Sequence, residues 1–228
     1  MNITFQYQNT EHLNIDKISV IGDFNNFNPS KGHMIKENNV WTLNCNLPSG
    51  EHHYKFLIND SLELNDPTAN IYMPREDDIL WSLLIIDKND NRLYNNTQYT
   101  VHIDKYNINS NVTDEDNISN KKNFNIILDK KVVTRFKFTN VTGLHEVTTA
   151  WYSPKGDLFQ TTANNLFKKE NDLNPVTLWF WLDIDNMKFK NLLGNWTVKL
   201  FIDGEYILED NFELLKGTSY SAQGKIKY

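Results

Sequence analysis

Apolar and polar residues alternate along much of this chain with a period of two, the signature of strands that bury one face. Trp41, Leu43, Cys45 and Leu47 interleave with Thr42, Asn44 and Asn46. Tyr54, Phe56 and Ile58 then interleave with His53, Lys55 and Leu57, with Ser49-Gly50 between the two runs as hairpin chemistry. Residues 81–86 form a nearly continuous apolar run, as expected of a strand closing a sandwich core. The pattern resumes over 124–138, 147–152, 176–183, 196–203 and 206–215. Turns are written at Ser153-Pro154-Lys155-Gly156 and at Asp203-Gly204, the latter fitting a two-residue type I′ hairpin. There is no alternation of strands with amphipathic helices. The reading is an all-β chain of two immunoglobulin-like β-sandwich domains, at 1–87 and 124–228. Between them, 88–123 holds polar runs such as NINSNVTDEDNISNKKN, too poor in apolar area to fold alone. That stretch reads as a polar linker, with room for one extra edge strand at 99–106.

Charge and composition narrow the function classes. A net charge of −6 argues against nucleic acid, which demands a basic face. No apolar run approaches the ~18 residues of a membrane span, so no membrane partner is expected. The N-terminal MNITFQYQNT has neither the basic nor the apolar region of a secretory signal, and Cys45 is the only cysteine. A reducing, cytoplasmic location is the expectation. Oligomeric state is left open.

The most specific segment runs from Ile18 to Pro67: VIGDFNNFNP, then LPSGEHHYKFLIND, then NDP. This order resembles the glycogen-binding module of the β-subunits of AMP-activated protein kinase, an early-set carbohydrate-binding fold also found at the N-terminus of isoamylase and glycogen-branching enzymes. The resemblance implies that Phe27 takes the place of a tryptophan that stacks on glucose. It implies that Lys55, in the YKF segment, donates to sugar hydroxyls, with Asn26 and Asn59 adding hydrogen bonds. Where the family has a second stacking tryptophan before Asp-Pro, this chain has Ser61-Leu62-Glu63-Leu64. The resemblance covers less than half the chain and implies nothing about the family of the C-terminal domain.

Other chemistry is sparse. Trp179 and Trp181 share one face of a strand, so they either anchor a protein partner or lie under a neighbouring element. His52 and His53 are adjacent and point to opposite faces of a strand, which does not favour a shared metal ion. No nucleophile, metalloprotease, phosphate-loop or dinucleotide motif is present, so neither catalytic residues nor cofactors are expected. Asp77 and Asp78 are merely sequence neighbours, whereas glycoside hydrolysis needs two carboxylates ~5–10 Å apart across a sugar. The leading expectation is a non-catalytic protein that binds an α-glucan, a glycogen- or starch-like polymer, weakly. The alternative is a structural or protein-interaction protein that keeps the sandwich without the sugar site. Sugar binding requires Phe27 and Lys55 to be exposed together on one shallow surface.

Overall fold

The structure, a computed structural model, describes residues 1–75, 78–95, 97, 99–116, 119–169, 171–185 and 192–217. It is built of strands, and no α-helix occurs among the described residues. The first half supplies β1 (Asn2–Gln8), β2 (Ile18–Gly22), β3 (Ile35–Glu37), β4 (Val40–Asn46), β5 (Gly50–Ile58), β6 (Leu62–Leu64), β7 (Tyr72–Pro74), β8 (Leu80–Ile86) and β9 (Arg92–Leu93). The second half supplies β10 (His102–Asn109), β11 (Asn123–Asn125), β12 (Lys131–Thr139), β13 (Leu144–Tyr152), β14 (Leu158–Phe167), β15 (Val176–Asp183), β16 (Gly194–Ile202) and β17 (Glu205–Leu215).

Each half folds as two sheets face to face. A β1-β4-β3 sheet covers a β2-β5-β8-β7 sheet that β6 and β9 extend. A β10-β12-β15 sheet covers a five-stranded β11-β17-β16-β13-β14 sheet. The alternation written in β1, NITFQYQ, is realised as strict exposed–buried alternation, with Ile3, Phe5 and Tyr7 inside. The same rule turns Tyr54, Phe56 and Ile58 of β5 into the first core. In the second core, Trp151 and Trp196 are fully buried, as are Phe136 and Phe180. Asp203 and Gly204 both take positive φ (53° and 86°) between β16 and β17, as a type I′ turn requires.

The polar stretch 88–123 contributes strands to both sandwiches. Residues 92–93 pair with β8, β10 forms an edge of the second sandwich against β12, and β11 pairs in parallel with β17.

The two sandwiches meet over a wide contact. Ala150 and Phe201 from the outer face of the five-stranded sheet belong to the same buried cluster as the first core, with Tyr152, Leu158 and Tyr206 packed on it. The β16–β17 turn presses into the first sandwich: a Cβ placed on Gly204 would lie 1.8 Å from the Asn65 carbonyl oxygen. Only glycine allows that approach, and its positive φ favours glycine as well.

Candidate functional site

The FNNF segment forms a tight turn at the end of β2. Asn25 fixes it: the buried side chain accepts a hydrogen bond from the Gly22 N–H (3.1 Å) and donates to the Val20 carbonyl (2.9 Å). The first asparagine of the pair is therefore a structural clamp. Asn26 and Phe27 follow in the left-handed region, at φ 58° and 55°. Asparagine tolerates this, but an aromatic residue there is strained by about 1–3 kcal/mol. The Phe27 N–H holds the conformation by donating to the Gly22 carbonyl at 2.8 Å.

The strained backbone delivers the Phe27 ring to the outer side of the sheet. It stands edge-on to Trp81, with centroids 5.3 Å apart, and the Arg75 guanidinium lies 4.5 Å from its centre. Arg75 also sits 5.3 Å from the Trp81 ring. Phe27 and Arg75 are half-buried and Asn26 is exposed. Beneath them Trp81 is buried, and its indole N–H meets no acceptor among the described residues. Nothing in the sequence marks Arg75 as sugar-facing. The signal available for Trp81 was its place on the outward-facing parity of β8.

Lys55 departs from the expectation of an exposed donor. It does point away from the first core, but the second sandwich covers it, leaving 3 % of the residue accessible. Its ammonium donates to both oxygens of Glu146 on β13, at 3.0 and 2.9 Å, and Glu146 is itself 2 % accessible. Asn65 completes the site by donating to Glu146 Oε1 (3.1 Å) and to the Leu80 carbonyl. From Asn65 the network runs through the Ser82 hydroxyl to the Asp66 N–H, and Asp66 accepts from the Tyr54 hydroxyl at 2.8 Å. The NDP segment is thus the polar core of the contact between sandwiches. Burial pushes the Glu146 carboxyl above its ordinary range, against the pull of Lys55. Two charges in a dry interface are costly unless paired and hydrogen-bonded, and here both conditions are met.

Asn59 lies away from Phe27. β2 and β5 are antiparallel, with Gly22 opposite Tyr54 and Ile18 opposite Ile58, so Asn59 sits at the far end of the pair from the Phe27 turn. Four residues of strand separate the two ends, roughly 13 Å. The Asn59 side chain accepts from the Asp16 and Lys17 N–H groups and donates to the Asn14 carbonyl. It ties the turn after β5 to the 14–17 segment leading into β2, and it lines a groove of 490 Å³ between the sandwiches that Tyr152 and Leu158 also line. Asn26 and Phe27 are therefore brought together. Lys55 is their neighbour through Trp81, its ammonium 5.5 Å from that ring, but it lies covered, whereas Asn59 belongs to the other end of the strand pair.

The two tryptophans of β15 also separate. Trp181 is 41 % accessible, whereas Trp179 is half-buried and donates its indole N–H to the Thr113 carbonyl at 3.2 Å. What covers Trp179 is the polar segment between the sandwiches. His52 and His53 do project differently, yet Asp23 reaches both rings, at 3.6 and 3.4 Å. Among the described residues no three His, Cys, Asp or Glu side chains gather as a metal site. Asp77 lies outside the described residues. Among those residues, no helix is long and apolar enough to cross a membrane.

Several solved structures share partial likeness. An immunoglobulin-like protein from Pseudomonas aeruginosa aligns over 51% of this chain and 97% of its own at 17% identity, with a TM-score of 0.36. A maltogenic amylase from S. marinus aligns over 95% of this chain and 29% of its own, at 14% identity and a TM-score of 0.34. An alkylpurine DNA glycosylase from Pseudomonas fluorescens aligns over 51% and 30%, at 16% identity and 0.33. This chain thus spans under a third of the amylase and of the glycosylase. All three TM-scores are low. No curated protein sequence matches the chain. The first half is different: residues 2–92 match the family model of the glycogen recognition site of AMP-activated protein kinase.

Proposed function

We propose that this chain is a non-catalytic α-glucan-binding protein whose sugar contact is a reduced surface at the Phe27 turn. Phe27 supplies the stacking ring, Arg75 a planar cluster of donors for sugar hydroxyls, and Asn26 an exposed amide at the rim. The observation that carries this reading is the strained left-handed backbone of Phe27, which holds a half-exposed aromatic ring beside Trp81 and Arg75. Strain maintained at a single aromatic residue points to a use for that residue. The match of residues 2–92 to a glycogen recognition site supplies the ligand class. With a phenylalanine in place of tryptophan and Lys55 withdrawn from the surface, binding is weak. A reducing compartment such as the cytoplasm suits the single thiol, Cys45.

A second reading, a structural protein that keeps the fold without the sugar site, is favoured by one observation. The lysine expected to touch sugar is locked to Glu146 under the second sandwich. Native affinity electrophoresis in gels containing glycogen or amylopectin separates the two. Glucan binding predicts retardation of the wild type that Phe27→Ala abolishes and Phe27→Trp strengthens. A wild type that migrates unretarded at high polysaccharide loading leaves the structural reading standing alone.

A further inference from the structure

The outer face of the β10-β12-β15 sheet is a row of cations and indoles. Register places Arg135 opposite Trp179, Val133 opposite Trp181 and Lys131 opposite Asp183. Lys105 lies opposite Lys137 on the same face. Across one half of this face runs a strap formed by residues 113–116, Thr-Asp-Glu-Asp. The strap binds as a ligand would. Trp179 donates to the Thr113 carbonyl, and Arg135 Nη2 donates to the Asp114 carbonyl at 3.2 Å. The Asp116 carboxylate accepts from Arg135 (2.9 Å) and Lys137 (2.6 Å), with Lys105 3.7 Å away. The Lys137 and Arg135 hydrogen bonds hold the Asp116 carboxyl down to about 2.

Two features mark this face as more than a place to tie down a loop. Arg135 is 6 % accessible, yet its Nε and Nη1 find no acceptor among the described residues, so the strap under-fills the cationic site. Beyond the strap Val133 is buried but Trp181 is exposed, with the Lys131 ammonium 4.6 Å from its ring centre and 3.6 Å from the exposed Asp183 carboxylate. We propose that this face is a docking surface for an extended acidic segment of a partner protein. The strap occupies its Arg135–Lys137 half in cis, and Trp181 stands exposed beside it, with Lys131 shared between its ring and Asp183. The partner's carboxylates take the place of Asp116 and its chain continues over Trp181. Charge complementarity selects the partner, and the cis strap, present at high effective concentration, weakens binding until it is displaced.

The test titrates the full chain with a synthetic peptide of residues 110–116, SNVTDED, followed by tryptophan fluorescence. Circular dichroism and thermal melting confirm that each variant is folded. The wild type is expected to bind the peptide weakly. Asp116→Asn, which frees the cations, is expected to bind at least tenfold more tightly, and added salt is expected to reverse the gain. Trp181→Ala and Lys131→Ala, which leave the strap contacts in place, are each expected to weaken binding severalfold. The proposal is overturned if folded Asp116→Asn shows no saturable binding at millimolar peptide. It is equally overturned if the uncharged peptide SNVTNQN binds as well. Concentration-dependent dimerisation of Asp116→Asn in place of peptide binding would identify a second copy as the occupant and also overturn it. None of these outcomes depends on glycogen retention, so the glucan reading stands or falls separately.

Discussion

On the outer face of the first sandwich, two neighbours of Trp81 meet opposite fates. Lys55 extends from β5 and is closed over by β13, its charge matched by Glu146. The Phe27 ring, beside the same indole at the sheet edge, is bordered by Arg75 and only half-buried. Both residues belong to motifs that resemble a sugar-binding module, and both point away from the core. The difference is the neighbour: the second sandwich covers Lys55 and leaves Phe27, on the other side of Trp81, half-exposed. A residue's outward parity in a strand states which core it avoids, and the next layer decides whether it meets solvent.

The sharpest way to break this contrast is to remove one charge of the covered pair. Lys55→Met or Glu146→Ala leaves the other group buried without its partner, and each is expected to cost about 3–5 kcal/mol in urea unfolding. An exposed Lys55 would instead be replaceable at less than about 0.5 kcal/mol. Next comes the turn that seats the second sandwich. Gly204→Ala must accommodate a Cβ against the Asn65 carbonyl at positive φ, and a loss of about 2–4 kcal/mol is expected in the same assay. At the half-exposed ring, Phe27→Ala is expected to cost binding rather than folding: roughly tenfold in glycogen affinity, ~1.4 kcal/mol. Its effect on the melting temperature should be small, because the ring is half-exposed and outside the core, and alanine keeps the Cβ that makes the left-handed backbone costly. Asn59→Ala reverses that pattern, losing about 1 kcal/mol of stability per lost loop clamp and leaving glycogen retention unchanged.

The smallest expected effect is pH-dependent. His145 donates through Nδ1 to Asp203 (2.6 Å) and through Nε2 to the Thr142 carbonyl (2.9 Å), in the element that positions the Gly204 turn. Burial works to lower the imidazole, but the Asp203 hydrogen bond and charge outweigh it and raise the group above its ordinary value. A raised histidine contributes stability that is full below about pH 6.5 and is lost as pH rises through the folded value. The melting-temperature gap between wild type and His145→Gln should therefore be widest at acid pH and narrow on the alkaline side. A gap that widens with pH would contradict the charged pairing.

Much of the fold is legible in the sequence because period-two alternation reports the core face directly. Tyr54, Phe56 and Ile58, or Trp196, Val198 and Leu200, leave little freedom about which side is dry. The candidate site is less legible for reasons that can be named. The Lys55–Glu146 pair spans 91 residues, and no local pattern joins them. Asn25 and Asn26 look equivalent in the sequence, yet one closes the turn and the other faces solvent, a division set by backbone geometry. The 88–123 stretch reads as linker because its apolar content is low, and its strap is held instead by carbonyls and Asp116 on a cationic sheet face. Arg75 carries no strand pattern at all and reaches Phe27 only because the loop after β7 passes beside Trp81.

The most direct test of the account is a double-mutant cycle in urea with Lys55→Met, Glu146→Leu and the double variant. A latch between the sandwiches predicts that each single change is strongly destabilising. The apolar pair then recovers most of the loss, giving a coupling energy above about 2 kcal/mol. Singles that cost little and add within about 0.5 kcal/mol would mean that Lys55 and Glu146 do not meet, and that the lysine is free to face a ligand after all.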